Sequence, residues 1–400
     1  MGGAVGHLQH LYDNRDLTFN EIEDILTAAA SGNLKKVSEK LDGLNLVFSW
    51  DVSGGILKVA RSGGDIKRGG MDSESLASKF AGRGNLTDAF NSAFKVLNGA
   101  LSTLPDRVKE KVFGPNANHW YSMEIIYTKN PNVVNYDSNS IVFHGWPVFK
   151  VEENGDVQMT EDDAGGVDIL TNNIDRMQKA VSSNDWKVRG PALVRMKKLS
   201  DGSILQSTLL KIKAALDAVG LDGSATMRDF IKENIQADAE SLGLPSNVVD
   251  MLVQRCLAEP GSPTLVQIRK NADKSDHETI NNFVKECPTR LKDYVRPVEL
   301  AINDFAVELL KGLKSTLIDD TDAEVMRLRS EVEKAVAMIQ SSGDENAMTI
   351  LNKQLEKLGS VSDITSPVEG VVFIYKGNAY KFTGSFSAAN QILGIFRYRR

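Results

Sequence analysis

EKLDGLNLVFSW, residues 39–50, carries the strongest fold signal in this chain. Lys40 stands two residues before Asp42-Gly43, and the apolar run from Leu44 to Trp50 follows at once. Asp-Gly favours a tight turn, and a run rich in leucine, valine and aromatic residues predicts a strand. A lysine held where such a strand begins can act as a nucleophile once its amine has lost a proton.

The pattern outward from this stretch is rich in strands and in short helices. Val52-Ser53-Gly54-Gly55 predicts a hairpin, and Thr18-Phe19-Asn20-Glu21 is a capping box that begins a helix. The segment from Arg61 to Gly70 combines glycines with basic residues and predicts a loop that faces a ligand. The other expected elements are strands over 56–61, 119–128 and 140–151 and helices within 73–113.

Beyond about residue 165 the periodicity becomes helical, and it returns to strands after residue 360. Val368 to Tyr375 and Ala379 to Thr383 are the predicted final strands. The sequence therefore predicts an α+β fold with a first part of one domain over 1–165, an all-helical insertion domain over 166–360, and the final strands of the first domain over 361–400.

Composition narrows the class of protein. The net charge of −6 over 400 residues does not indicate nucleic-acid binding by the chain as a whole, although a local basic groove stays open. Cys256 and Cys287 cannot form a disulfide framework and are expected to be reduced thiols. Neither a membrane-spanning run nor a secretory signal is expected, so a cytoplasmic location without membrane contact is predicted. The sequence does not fix the oligomeric state.

Charged and aromatic residues downstream of Lys40 fit chemistry on a nucleotide. Arg61 and Lys381 are cations that would neutralise phosphate charge. Glu124 and Glu369 each lie in or beside a strand-like run and would bind Mg²⁺ (or Mn²⁺) or ribose hydroxyls. Phe143 would stack on a base.

In this order the motifs resemble those of the covalent nucleotidyltransferases, the superfamily of ATP-dependent RNA and DNA ligases and mRNA capping enzymes. Lys40-Leu41-Asp42-Gly43 matches the Lys-x-Asp-Gly motif, and Glu369-Gly370-Val371-Val372 matches a second specific motif. The weaker matches are Arg61-Ser62-Gly63-Gly64, Glu124 within 122–126, Phe143 within 141–145, and Lys381-Phe382-Thr383-Gly384. The resemblance covers about residues 35–150 and 365–385, and it implies a ligase adenylation domain of antiparallel sheets with flanking helices.

The resemblance also implies a role for each matching residue. Lys40 would attack the α-phosphate of ATP and form a lysyl-adenylate, with Lys381 holding that phosphate. Glu39 would lie near the adenine and Phe143 would stack on it, while Arg61 and Glu124 would contact the ribose. Glu369 would help to bind the metal. AMP would then pass to a 5′-phosphate, which is sealed to a 3′-hydroxyl.

Three departures from the superfamily pattern shape the prediction. Thr383 stands where a second lysine is expected, the interval from Phe143 to Glu369 is 226 residues, and sixteen residues follow Gly384, too few for the OB-fold of DNA ligases and capping enzymes. The lack of room for an OB-fold favours the RNA-ligase branch. The overall look of the sequence, including Phe80-Ala81-Gly82-Arg83-Gly84, also resembles ligase-like proteins of tailed phages, which would act in the host cytoplasm. A DNA ligase, a capping guanylyltransferase and a ligase-like binding protein that has lost the reaction stay open.

One basic stretch lies outside these motifs. It runs from Trp186 to Leu199 and contains Lys187, Arg189, Arg195, Lys197 and Lys198. Such a stretch is most often a solvated surface, and it can also follow a phosphate backbone.

Overall fold

The computed structural model describes residues 8–130, 136, 138–160, 165–181, 185–311, 313, 315–317 and 368–384. Within these residues the fold is mixed α+β, with mainly antiparallel sheets. The chain divides into two compact units, the first of residues 1–8, 35–195 and 310–400 and the second of residues 9–34 and 196–309.

The strands of the described residues all lie in the first unit. They are β1 (Ser38–Lys40), β2 (Leu44–Asp51), β3 (Ile56–Ala60), β4 (His119–Ile126), β5 (Asn139–Val151), β6 (Val157–Thr160), β7 (Trp186–Arg189), β8 (Gly370–Tyr375) and β9 (Asn378–Thr383). Strands β3-β2-β4-β5-β6 form the large sheet in that order, and β7 pairs with β5 in parallel. The small sheet has the order β1-β8-β9 and is antiparallel.

The helices are divided between the two units. The first unit contains α2 (Gly63–Lys67), α3 (Ser73–Lys79), α4 (Asn85–Ser102), α5 (Asp106–Phe113), α6 (Gly166–Asn172) and α7 (Ile174–Lys179). The second contains α1 (Phe19–Ala30), α8 (Ser203–Asp217), α9 (Met227–Glu240), α10 (Ser246–Leu257), α11 (Leu265–Lys270) and α12 (His277–Leu310) up to residue 309.

The large sheet has one face in the main hydrophobic core. Period-2 alternation sends Phe48, Met123 and Phe143 to this face, where residues of α3 to α7 cover them. Phe48 and Phe143 are 0% and 1% exposed, with ring centroids 5.2 Å apart. The opposite face, called the polar face below, carries Asn45 and Glu124 beside two smaller apolar clusters that include Val47 and Val142.

The small sheet joins chain segments that are far apart in sequence. β1 pairs with β8 such that Lys40 lies opposite Gly370, and β8 pairs with β9. At the other edge of β1 the Glu39 N–H donates to the Ala192 carbonyl oxygen at 2.8 Å, and Val194 N–H donates to Val37 at 2.9 Å. The last described strands thus pair with a strand from the beginning of the chain.

The observed units differ from the predicted domain boundaries at both ends of the helical region. Residues 166–195 lie in the first unit because α6 and α7 pack in its core and β7 pairs with β5. Residues 9–34 lie in the second unit, where Phe19 N–H donates to the Ala225 carbonyl at 3.0 Å. The predicted insertion residues 318–360 fall outside the described residues.

The second unit contains a disulfide that the sequence did not predict. Cys256 on α10 and Cys287 on α12 are joined, with their Cα atoms 5.5 Å apart. Both side chains are buried in the helical core, so packing of α10 against α12 brings together two cysteines 31 residues apart. The expectation of reduced thiols is therefore wrong in this structure.

Candidate functional site

The turn after Lys40 is fitted closely to the large sheet. A Cβ on Gly43 would lie 2.7 Å from the Ile125 carbonyl oxygen and 2.8 Å from Glu124 Cγ, so only glycine fits where the turn between β1 and β2 packs against β4. The Asp42 N–H donates to the Tyr136 hydroxyl oxygen at 3.0 Å. Tyr136 is 3% exposed. The Lys-x-Asp-Gly turn is therefore held by a buried phenol and by a backbone contact that excludes a side chain.

Lys40 forms an ion pair with Glu369, although 329 residues separate them in the chain. Lys40 Nζ donates to Glu369 Oε1, and the two side chains are 22% and 15% exposed. Glu369 immediately precedes β8, whose first residue lies opposite Lys40 in the small sheet. The fold thus brings together the two residues that carry the most specific motifs.

The environment of Glu369 favours its neutral form. Burial is the main cause that raises the pKa of Glu369 to about 7; Lys40 opposes the shift, and the nearby Asp42 and Glu124 carboxylates add to it. Its second oxygen, Oε2, is buried without a hydrogen-bond partner among the described residues. A carboxyl group in this state can exchange a proton with the Lys40 amine and still has one oxygen available to a ligand.

Glu124 lies on the polar face of the large sheet beside a histidine. Glu124 is 8% exposed, and its Oε2 lies 3.1 Å from His144 Nε2, where the donor depends on the tautomer. Asn45 lies opposite Glu124 on β2, and Arg61 Nη1 donates to the Asn45 carbonyl oxygen. Burial lowers the pKa of Arg61, and Glu124 opposes this shift. Arg61 is thus close enough to Glu124 for their charges to interact, while its guanidinium lies over the ring of Phe90 in the core.

Lys381 lies on the same face of the small sheet as Lys40. Register places Ser38, Val372 and Lys381 in one row and Lys40, Gly370 and Thr383 in the next. Because neighbouring strands are about 5 Å apart, the β1 and β9 members of each row are about 10 Å apart at Cα. Lys381 therefore lies on the same face as Lys40, one row away, and Thr383 lies in the row of Lys40.

Glu39 faces away from Lys40 and has other partners. It is 1% exposed and accepts hydrogen bonds from Ser315 Oγ at 2.7 Å, Thr316 N–H at 2.7 Å and Thr316 Oγ1 at 2.8 Å. Burial raises the pKa of Glu39 against these hydrogen bonds. Its alternation with Lys40 on β1 puts it on the opposite face of the strand. The predicted contact with adenine does not fit this placement, because the carboxylate already binds the 315–316 segment.

Phe143 also lies away from the polar face. Its ring packs against Phe48 in the core, whereas the next residue, His144, reaches Glu124. The predicted stacking of Phe143 on a base does not fit this placement, because the strand turns the ring toward the helices.

We therefore expect Phe143→Leu to lower stability without changing nucleotide affinity. Replacing a core ring by a smaller aliphatic side chain removes packing contacts and leaves the polar face intact. Thermal unfolding should shift to lower temperature, while the Kd for ATP, measured by calorimetry on the folded protein, should stay within about twofold. Phe48→Leu on β2 is the matched core control, and a selective loss of ATP affinity in Phe143→Leu would restore the stacking role.

Two residues of this site were not singled out from the sequence. His144 follows Phe143, and it can be recognised as a site residue only once it is known which face of β5 it occupies. Tyr136 precedes β5 in a segment without periodicity, so no local signal marks it.

The described residues of the site supply only part of the ligand set that a hard metal ion needs. Among the described ranges, no group of three or more histidine, cysteine or acidic residues is arranged to hold a metal. Glu369 nevertheless offers a buried carboxylate oxygen that no described residue bonds. Mg²⁺ is often held by one or two carboxylates together with substrate phosphates, so a single protein ligand is compatible with it.

Comparison with known protein families, with curated proteins and with solved structures finds no match. The function therefore has to be inferred from the motifs and from their geometry. In the described part of the chain, no helix combines the length and the apolar character needed to cross a membrane.

Proposed function

We propose that this protein is an ATP-dependent polynucleotide ligase that acts on RNA through a lysyl-AMP on Lys40. The observation that carries the proposal is the ion pair of Lys40 with Glu369, which unites two motifs 329 residues apart. Glu124 acts electrostatically on Glu369, and Gly43 contacts the strand of Glu124. Convergence of separately predicted motifs is the signature expected of a shared active site.

The first step would use the Lys40 amine as the nucleophile. Its lone pair forms a bond to the α-phosphorus of ATP, the bond from that phosphorus to the bridging oxygen breaks, and pyrophosphate leaves. Glu369, adjacent to Lys40 Nζ, accepts the proton of the amine. The half-buried Arg61 and the cation of Lys381 offset phosphate charge, and Glu124 accepts a hydrogen bond from the ribose.

The later steps transfer AMP and then release it. An oxygen of an RNA 5′-phosphate attacks the adenylyl phosphorus and frees Lys40, and the 3′-hydroxyl of a second end attacks the 5′-phosphorus and releases AMP. Glu369 Oε2 would hold Mg²⁺, which supplies charge neutralisation on the phosphates.

The proposed architecture is a nucleotidyltransferase domain whose chain is interrupted by the helical unit. The units are consistent with it, because the first returns to its small sheet after residue 310. The preference for RNA follows from the resemblance, so substrate comparison must test it separately from the chemistry.

We expect ATP-dependent joining of 5′-phosphorylated RNA to disappear in Lys40→Ala, because Lys40 supplies the only described amine that is paired with Glu369. Lys35→Ala, which removes an exposed lysine close in sequence, should join at the wild-type rate. The assay measures joined product on gels with matched RNA and DNA substrates.

Equal or better joining of DNA would overturn the RNA assignment, and joining that survives Lys40→Ala would contradict the ligase mechanism. Tight ATP binding with no joining of either substrate would favour the ligase-like binding protein. Thr383 is the observation behind this alternative, because it lies in the row of Lys40 where a second lysine is expected.

A further inference from the structure

Strand β7 has one apolar and one basic face. Trp186 and Val188 lie in the main core under the helices of the first unit. Lys187 and Arg189 alternate with them and therefore point to the opposite face of the sheet. Only part of the basic stretch seen in the sequence is thus held on a strand.

The basic face of β7 is continuous with the polar face that carries Glu124. Arg189 pairs with Val142 on β5, and Val142 pairs with Glu124 on β4. Residues paired across strands share a face, and two strand spacings put the Cα atoms of Arg189 and Glu124 about 10 Å apart. Three residues farther along, the Ala192 carbonyl oxygen accepts a hydrogen bond from the Glu39 N–H on β1, the strand of Lys40. The β7 segment therefore borders the candidate site.

Arg189 has a hydrogen-bond donor for which the described residues supply no acceptor. Its Nε is buried and has no hydrogen-bond partner among them, and neither Arg189 nor Lys187 forms an ion pair with a described residue. An unpaired buried donor is costly, so its persistence points to a ligand. The forked guanidinium of arginine matches the geometry of a phosphate, which can accept two hydrogen bonds from it.

We propose that Arg189, assisted by Lys187, binds the terminal 5′-phosphate of the RNA acceptor. This inference rests on the proposed function, because AMP transfer requires a 5′-phosphate oxygen to reach the adenylyl group on Lys40. ATP phosphates share the same chemistry, so the two sources must be separated by reaction step.

The first experiment resolves the two steps. The lysyl-AMP enzyme is formed with ATP and Mg²⁺, freed of ATP, and mixed with a 5′-phosphorylated RNA oligonucleotide in a single turnover. Arg189→Ala should slow the appearance of AMP–RNA by about tenfold or more, the loss expected for one charge-assisted interaction, and leave adenylation within about twofold. Arg189→Lys should be intermediate. Arg107→Ala, which removes an exposed arginine on α5, should match wild type.

The second experiment does not require catalysis. Fluorescence anisotropy compares the affinity of the full-length protein for 5′-phosphorylated and 5′-hydroxyl RNA of one sequence. Wild type should prefer the phosphorylated strand, and Arg189→Ala and Lys187→Ala should weaken that preference while circular dichroism remains unchanged.

Together, the single-turnover and anisotropy experiments distinguish failure of the inference about Arg189 from failure of the proposed ligase function. Absence of lysyl-AMP in wild type would refute the ligase, and the anisotropy preference would still decide the role of Arg189. Slower adenylation with normal transfer would assign Arg189 to ATP and overturn the inference. An unchanged phosphate preference in Arg189→Ala would overturn it as well.

Discussion

Glu369→Gln is expected to slow adenylation of Lys40 by about 10²–10⁴-fold, the usual contribution of a positioned general base. Glutamine keeps the size of the side chain and its contact with Lys40 Nζ but cannot accept the proton. Glu369 is the only carboxylate bonded to Lys40 among the described residues. Rapid-quench measurement of the protein–AMP adduct at saturating ATP reports this step directly.

Glu39→Gln is the matched control for this experiment. Glu39 is also a buried glutamate and is adjacent to Lys40 in sequence, but it faces away from the amine and binds the 315–316 segment. Its replacement should lower stability and leave the adenylation rate of the folded protein nearly unchanged. Equal loss in both variants would show that Glu369 acts only through the fold.

The pH dependence gives a second signature of Glu369. Because its pKa in the fold is about 7, the fraction able to accept a proton rises as pH increases through that value. The second-order rate constant of adenylation in wild type should rise across this range, since that constant reports groups in the free enzyme. The Glu369→Gln profile should lose this rise.

The raised pKa of Glu369 also determines how the stability of the fold changes with pH. The folded-state pKa exceeds the unfolded value of about 4.5, so the folded protein binds more protons between these two values. The contribution of Glu369 to the free energy of unfolding is thus fully present below pH 4.5 and lost as pH rises through 7. Relative to Glu369→Gln, wild type should lose stability as the pH is raised across this window.

Gly43→Ala is expected to disturb the turn that follows Lys40. The added Cβ would lie 2.7 Å from the Ile125 carbonyl oxygen and 2.9 Å from Ile126 Cδ1. A backbone oxygen within β4 cannot move cheaply, so the turn must shift and carry Lys40 with it. We expect about 1–3 kcal/mol of destabilisation, as for other overpacked sites, and at least about a tenfold slower adenylation.

Gly202→Ala is the control for this substitution. A Cβ added to Gly202 would meet no heavy atom within 4 Å, and the φ of −77° at this position suits any L residue. Chemical unfolding should show little or no loss of stability in Gly202→Ala. Wild-type stability and adenylation in Gly43→Ala would contradict the close packing of the turn.

The sequence predicts those parts of the fold that depend on local patterns. The capping box of Thr18 and Glu21 begins α1, and the hairpin of β2 and β3 turns at residues 52–55 as expected. Each of these signals is contained within a few residues, so propensity and alternation suffice to find it.

The same local patterns do not predict which distant segments of the chain contact each other. Period-2 alternation says that Glu39 and Lys40 face opposite ways, but not that Ser315 and Thr316 cover Glu39. It likewise cannot say that β7 adds to β5 in parallel, which moves residues 166–195 into the first unit. Such pairings depend on the tertiary arrangement, which local sequence does not specify.

The candidate site could be predicted only in part for the same reason. Lys40, Glu369, Glu124 and Arg61 stand out in the sequence because they lie in short motifs that follow one another in a recognisable order. Alternation alone does not place Phe143, because an aromatic residue on a strand suits either face and only the helices over the core decide which. No local signal marks Tyr136, because its role depends on a contact with Asp42, 94 residues away.

Peptide mass spectrometry after incubation with ATP and Mg²⁺ is the decisive measurement for Lys40 as the nucleophile. We expect a single adenylyl group on the peptide that contains Lys40, its loss on addition of pyrophosphate, and no adenylylated peptide in Lys40→Arg. An adenylyl group on another lysine, such as Lys381, or wild-type protein that remains unmodified would contradict the lysyl-AMP mechanism.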